Sequence, residues 1–181
     1  MANTARNLTT GLPFTVTLRV VVWALWVGIF ADSAGAEPQV LLDFVDSDRR
    51  FAVQGAVDGA AARLARQSCQ EVLSDLADQS GQSLQTRLLA RGSSPAEAFA
   101  ALRFIDSHAA PQCTAGTTLA FTQTGSAVIH VCAGQFMKRS MRNRMTAEII
   151  VLHEFLHTLG LGENPPTSQA ITAQVTLRCG G

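Results

Sequence analysis

The chain has 181 residues, of which 47% are apolar, and its fourteen basic side chains balance its fourteen acidic ones. This balance gives no support to nucleic acid or to an anionic membrane as a partner. The one basic run, over 138–144, is expected to be a solvated connector rather than a patch that binds a polyanion.

Residues 1–36 have the pattern of an export signal. A basic start leads into an apolar core over 20–31, and the Ala-Gly-Ala sequence at 34–36 is a small-residue cleavage site. The core is shorter than the ~20 residues of a typical membrane span, with an uncleaved anchor as the alternative. We therefore predict a signal peptide over 1–36 and one secreted or periplasmic domain over 37–181, without a stable membrane anchor after cleavage.

Short helices are predicted to follow in the first half of this domain. Asp46 or Ser47 can cap a helix, and the apolar residues from Val53 to Leu64 recur at helical spacing. Ser68 and Glu71 then form a capping-box pattern, which predicts a second helix carrying the apolar residues of 72–76.

Two further helices are predicted before position 106. Breaks at Ser80-Gly81 and at Gly92 bound a short helix over 84–89. The sequence Ser-Pro-Ala-Glu at 94–97 combines a capping box with proline at the first helical position, so we expect a helix from there through Ile105.

A β-hairpin is predicted beyond these helices. The runs 117–122 and 127–132 favour strands, and Gln-Thr-Gly-Ser joins them. In the second run His130 shares a face with Val128 and Cys132, opposite Ile129 and its alternating neighbours. With the helices, this hairpin predicts a helix-rich α+β domain.

The last predicted element is a helix near the carboxyl end. Thr167 or Ser168 can cap it, and Ile171, Val175 and Cys179 recur at four-residue intervals on one face. Such a helix can close the back of a site formed by the preceding residues.

The run from 146 to 166 contains the pattern H-E-x-x-H, made by His153, Glu154 and His157. At 3.6 residues per turn, the two histidines lie one above the other on one helix face, so both imidazoles can reach one metal ion. Glu154 is rotated by about 100° from His153, which places its carboxylate beside such a metal as a general base for bound water. The surrounding helix is apolar nearly all round, so these polar groups need partners.

A turn is predicted directly after the two histidines. Gly160 stands where a left-handed residue ends a helix, and Gly162 with Pro165 and Pro166 prevents the helix from resuming. Glu163 is the only aspartate, glutamate or histidine beyond the second histidine, so a downstream carboxylate or imidazole ligand would have to be Glu163.

This stretch resembles the zincin metallopeptidases, and more narrowly the metzincin pattern H-E-x-x-H-x-x-G-x-x-H, with Glu163 in place of the third histidine. The resemblance implies a compact α+β zincin-like domain over 37–181 that binds one Zn²⁺ through His153, His157 and Glu163, with Glu154 as the general base. The chain has no tyrosine, and no methionine follows the motif, so this variant lacks the Met-turn of the metzincins.

His130 is a candidate contact to substrate or to the transition state. In zincins a strand runs along the rim of the cleft and binds extended substrate, and His130 on such a strand could stabilise the oxyanion. It could also bind the metal if Glu163 does not. The alternative is an ordinary, half-exposed strand histidine.

The four cysteines all lie in the predicted exported part: Cys69, Cys113, Cys132 and Cys179. Their even number in an exported small domain predicts two disulfides, for which Cys69–Cys113 with Cys132–Cys179 is our working pairing. Thiolate ligation of a metal is the alternative.

These observations lead to two classes of function. The first is an exported zinc metalloendopeptidase that hydrolyses peptides or proteins through metal-activated water. The second is an exported binding or inhibitory module with a structural or vestigial zinc site. A zinc amidase of the cell envelope would use the chemistry of the first, and the oligomeric state stays open.

Overall fold

The fold was obtained as a computed structural model that describes residues 39–181, so the predicted signal peptide over 1–36 lies outside the described residues. The described strands are β1 (Leu41–Asp43), β2 (Arg103–Asp106), β3 (Ala120–Thr122) and β4 (Val128–Val131). The helices are α1 (Ser47–Leu64), α2 (Gln67–Gln70), α3 (Val72–Asp75), α4 (Leu84–Ala90), α5 (Pro95–Ala100), α6 (Pro111–Thr114), α7 (Ala133–Arg142), α8 (Arg144–Thr158) and α9 (Ser168–Cys179). The predicted helix-rich α+β class is confirmed.

The strands form one mixed sheet in the order β1-β2-β4-β3. Strand β2 is parallel to both β1 and β4, and its Phe104 is aligned with Leu42 on one side and Ile129 on the other. Strand β3 runs antiparallel to β4, which confirms the predicted hairpin. The aligned apolar residues are buried and form the sheet side of the core.

Several helix starts are the ones that local chemistry predicts. Asp46 caps α1 by accepting a hydrogen bond from the backbone N–H of Arg49. Ser94 and Glu97 form the expected capping box at α5. Thr167 caps α9 through the N–H of Ala170. Each cap satisfies N–H groups that have no partner within the first turn of a helix.

The predicted helix from Ser94 through Ile105 is wrong in its second half. Helix α5 ends at Ala100, and Arg103–Asp106 form β2. The backbone of β2 bonds to strands on both sides, and Phe104 becomes fully buried there. Tertiary pairing therefore outweighs the local helical signal after the first turns.

The capping box predicted at Ser68 is also absent. Helix α2 begins after Arg66, without a side-chain cap, and a second short helix, α3, follows at Val72. Leu76 is already extended, and its carbonyl accepts a hydrogen bond from the N–H of Leu84. A loop that returns the chain to α4 thus replaces the end of the predicted helix.

The basic run over 138–144 is helical rather than a connector: it forms the end of α7 and the start of α8. One of its members, Arg144, lies 2.9 Å from the buried carboxylate of Glu148, which Arg63 of α1 also binds at 2.6 Å. This charged group joins α1 to α8, and the side chain of Glu148 lies directly against Gly59 of α1.

Two disulfides are present, but the predicted pairing is wrong. Cys69 bonds to Cys179, and Cys113 bonds to Cys132. Helix α2 packs beside the end of α9, and the short helix α6 lies beside the end of β4, so neighbours in space are not those suggested by order in the chain. None of the described helices combines the length and apolar character that a membrane span requires.

Candidate metal centre

Helix α8 carries both histidines of the motif into the interior. Asn143 caps its start, and every residue from Val151 to Thr158 is buried. Apolar side chains surround the histidines on neighbouring helix positions, so water has little access to their rings. The helix ends where the sequence predicts, because Gly160 adopts a φ of 107°, which L-residues rarely reach.

Three side chains meet beside this helix, two from α8 and one from the turn that follows it. The Nε2 atoms of His153 and His157 lie 3.0 Å apart. Oε1 of Glu163 lies 3.6 Å from Nε2 of His153 and 3.4 Å from Nε2 of His157. Among the described residues, these three form the group of histidine, cysteine and acidic side chains whose atoms are spaced to hold a metal ion.

The donor set fits zinc in both chemistry and spacing. Bonds of 2.0–2.1 Å in a tetrahedral zinc site place neighbouring donor atoms about 3.3 Å apart, and the three separations lie close to that value. Two imidazoles and one carboxylate also form an established set of catalytic zinc ligands, with the fourth position left for water or substrate.

The other nitrogen of each imidazole has its own partner. Nδ1 of His157 donates to the carbonyl oxygen of Leu161 at 2.8 Å. Nδ1 of His153 lies 2.9 Å from the hydroxyl oxygen of Thr172 in α9. Burial lowers the pKa of His153, as does the nearby His157, while Glu163 opposes this shift. His153 is therefore neutral at neutral pH, which is the form that binds a metal.

Glu154 lies beside the group but pairs with none of its members. Its side chain is only 6% exposed, and Oε2 has no hydrogen-bond partner in the described part of the chain. Burial raises the pKa of Glu154 to about 8; a hydrogen bond from Thr122 opposes this shift, and the negative charge of Glu163 adds to it. A buried carboxyl oxygen without a partner is costly, and such groups concentrate at functional sites.

The turn that carries Glu163 rests on side chains from a distant segment. A β-carbon on Gly160 would lie 2.8 Å from a guanidinium nitrogen of Arg87, and one on Gly162 would lie 2.7 Å from the amide nitrogen of Gln79. Arg87 also forms an ion pair with buried Asp78. The two glycines thus allow the turn to lie directly against these side chains.

The structure brings together His153, His157 and Glu163, but not His130. Strand β4 buries Ile129 and Val131, so His130 lies on its opposite face. There its ring stacks on Phe121, with centroids 4.8 Å apart, and its Nδ1 lies 2.9 Å from the hydroxyl oxygen of Ser107. This placement gives no support to a role for His130 at the metal centre.

Five contacts around the site were missed in the sequence. They are made by Thr172, the Leu161 carbonyl, Thr122, Arg87 and Gln79. Gly160 and Gly162 were the available signal, because paired glycines at a helix end indicate that another part of the chain approaches closely. Nothing local indicated which segment that would be.

A scan against protein-family models and searches of curated proteins and of solved structures give no match to this chain. Its function is therefore inferred from the geometry and chemistry of the site.

Proposed function

We propose that this protein is an exported zinc-dependent metalloendopeptidase. The observation that carries the proposal is the juxtaposition of two features: a His₂Glu donor group spaced for zinc, and the buried, unpartnered oxygen of Glu154 on the same helix. A zinc site for hydrolysis requires both, since metal and base act on one water molecule.

His153, His157 and Glu163 would hold the zinc ion. When bound, zinc lowers the pKa of a coordinated water and polarises the carbonyl of the scissile bond. Glu154 accepts the proton of the attacking water at its free oxygen and later gives it to the leaving amine. Burial holds the pKa of Glu154 above its ordinary value, so this group binds a proton more strongly than an exposed carboxylate does, which favours its taking up the proton of water.

Export is supported by the two disulfides, since such bonds persist in oxidising compartments. Strand β3 supports a peptide substrate: it lies against α8 at the edge of the sheet, where an extended chain could pair with it. An envelope amidase would use the same residues, and parallel assays on peptides and on peptidoglycan fragments distinguish the two substrate classes.

Zinc content and hydrolysis test the proposal together. We expect close to one zinc per chain in the protein and a sharp fall in Glu163→Ala. Asp43→Ala should retain its zinc, because Asp43 on β1 forms an exposed ion pair with Arg103, at the opposite edge of the sheet from the strand that lies against α8. No zinc in the unsubstituted protein, even after reloading, would refute the metal centre.

Glu154→Gln then separates an enzyme from a binding module. The amide keeps the shape of the side chain and cannot take up the proton, so zinc should remain while the hydrolysis rate falls about 10²- to 10⁴-fold. Unchanged hydrolysis would show that the assigned base is wrong. Zinc without hydrolysis of any substrate in the unsubstituted protein would favour the binding or inhibitory module.

A further inference from the structure

Among the described residues, Thr172 is the one outside the motif and its turn whose side chain forms a hydrogen bond with a histidine of the donor group. Its hydroxyl oxygen lies 2.9 Å from Nδ1 of His153. His153 is 3% exposed, so little water can take the place of this hydroxyl. Thr172 belongs to α9, while His153 belongs to α8.

The two imidazoles differ in the kind of partner that holds them. The carbonyl of Leu161 can only accept, so Nδ1 of His157 must carry a hydrogen, which leaves the lone pair at Nε2. The hydroxyl of Thr172 can also accept, and His153 then has the same arrangement, with its lone pair directed at the space shared with Glu163.

We propose that Thr172 is a positioning residue for the metal centre: its hydroxyl accepts the Nδ1 hydrogen of His153 and so holds that ring in the orientation and tautomer that bind zinc. This inference rests on the zinc site of the proposed function. Outer partners of this kind orient metal-binding histidines, and their removal typically weakens metal binding about 10- to 100-fold.

Helix α9 is anchored well enough to act as a fixed support. Ile171, Val175 and Cys179 are fully buried, and Cys179 is joined to α2 by its disulfide. On the outer side, Arg178 binds Asp75 at 2.6 Å and Glu71 at 2.6 Å. Thr172 therefore reaches His153 from a helix that is held to α2 and α3 as well as to α8.

The test compares Thr172→Val, which keeps the branched shape without the hydroxyl, with Thr172→Ser, which keeps the hydroxyl. Thr176→Val is the matched control, since it lies one turn along α9 and, within 39–181, its hydroxyl bonds to the backbone carbonyl of Thr172 and to no side chain. The zinc dissociation constant is measured by competition with a chelator. Thermal unfolding of the metal-free proteins checks their folding, with Thr172→Ala as a second variant if the valine protein does not fold.

We expect zinc binding to weaken about 10- to 100-fold in Thr172→Val and to change little in Thr172→Ser and Thr176→Val. Long-range proton–nitrogen NMR correlations of the zinc-loaded protein should show hydrogen at Nδ1 of His153. Its signal should broaden or shift in Thr172→Val, while that of His157 stays in place. A merely structural role for the hydroxyl would lower the unfolding temperature without these changes at His153.

If Thr172→Val, Thr172→Ser and Thr176→Val all bind zinc as tightly as the unsubstituted protein, the role of Thr172 is overturned and the proposed enzyme is left intact. Weaker zinc binding in the valine variant, with no hydrolysis in the unsubstituted protein, would support Thr172 and refute the enzyme. If the unsubstituted protein binds no zinc, both inferences fail together.

Discussion

Replacing Gly160 with alanine tests whether the turn after α8 shapes the metal centre. Gly160 has a φ of 107°, and the β-carbon of alanine would lie 2.8 Å from Nη1 and 3.0 Å from Cζ of Arg87. Leu161, whose carbonyl holds His157, and Glu163 lie one and three residues after Gly160, so any shift of the turn affects both His157 and Glu163.

The expected magnitude combines a backbone cost with the cost of displacing Arg87. An L-residue at positive φ costs roughly 1–2 kcal/mol, and moving the Arg87 guanidinium aside disturbs its ion pair with buried Asp78, which costs about 1–3 kcal/mol. We therefore expect the free energy of unfolding to fall by about 2–5 kcal/mol. Gly92→Ala is the control, because Gly92 has a φ of 64° and no heavy atom within 4 Å of the added carbon, so only the backbone cost applies.

Denaturant unfolding of the metal-free proteins and chelator competition for zinc measure the two effects. Gly160→Ala should lose more stability than Gly92→Ala and should bind zinc at least ten times more weakly than the unsubstituted protein, while Gly92→Ala binds it normally. Zinc binding by Gly160→Ala equal to that of Gly92→Ala would refute the dependence of the site on this turn.

Three more predictions concern the scaffold. Gly59→Ala should destabilise the fold by about 1–3 kcal/mol because its β-carbon meets a buried glutamate of α8, whereas Gly55→Ala, with open space around it, should stabilise α1 by about 0.5–1 kcal/mol in denaturant unfolding. Replacing both Cys69 and Cys179 with serine should cost up to about 5 kcal/mol, given the sequence separation of 110 residues, and should also weaken zinc binding through α9. A hydrogen bond from the hydroxyl of Ser80, and a weaker effect of Arg87, lower the pKa of Asp78. The ionised Asp78 therefore stabilises the fold above about pH 4, and this stabilisation is lost as the pH falls further. Asp78→Asn should therefore show less stability at neutral pH and a shallower decline below about pH 4 in acid titrations followed by circular dichroism.

The parts of the fold that were predicted correctly depend on neighbours in the sequence. The caps at Asp46, Ser94 and Thr167 each bond to a backbone N–H three residues further on, so a short stretch of sequence is enough to predict them. The hairpin likewise depends on two short runs and the turn between them.

The errors concern interactions between distant residues. The local pattern favours the end of a helix where strand β2 lies. The strands that pair with β2 are about 60 residues before it and about 25 after it in the chain, so no local pattern indicates this pairing. The disulfide pairing failed for the same reason: the spacing of cysteines does not show which helices pack together.

In the candidate site, too, the residues set by local sequence were predicted, and the contacts made by distant segments were not. His153 and His157 lie on one helix face by geometry alone, and Glu163 was the only acidic residue left downstream. The alternation of strand residues showed which neighbours share a face with His130, but not that this face points away from the core. The outer partner of His153 could not be predicted because it comes from α9.

The surroundings of Glu154 make a working site a better explanation than a structural one. A structural site needs its ligands and their partners, and here those are His153, His157 and Glu163 with their own contacts. It has no use for a second acidic group held 6% exposed with an unpartnered oxygen, because that burial reduces the stability of the fold. Glutamine or leucine at this position would avoid the cost. In the proposed enzyme, proton transfer would give this carboxyl group a function.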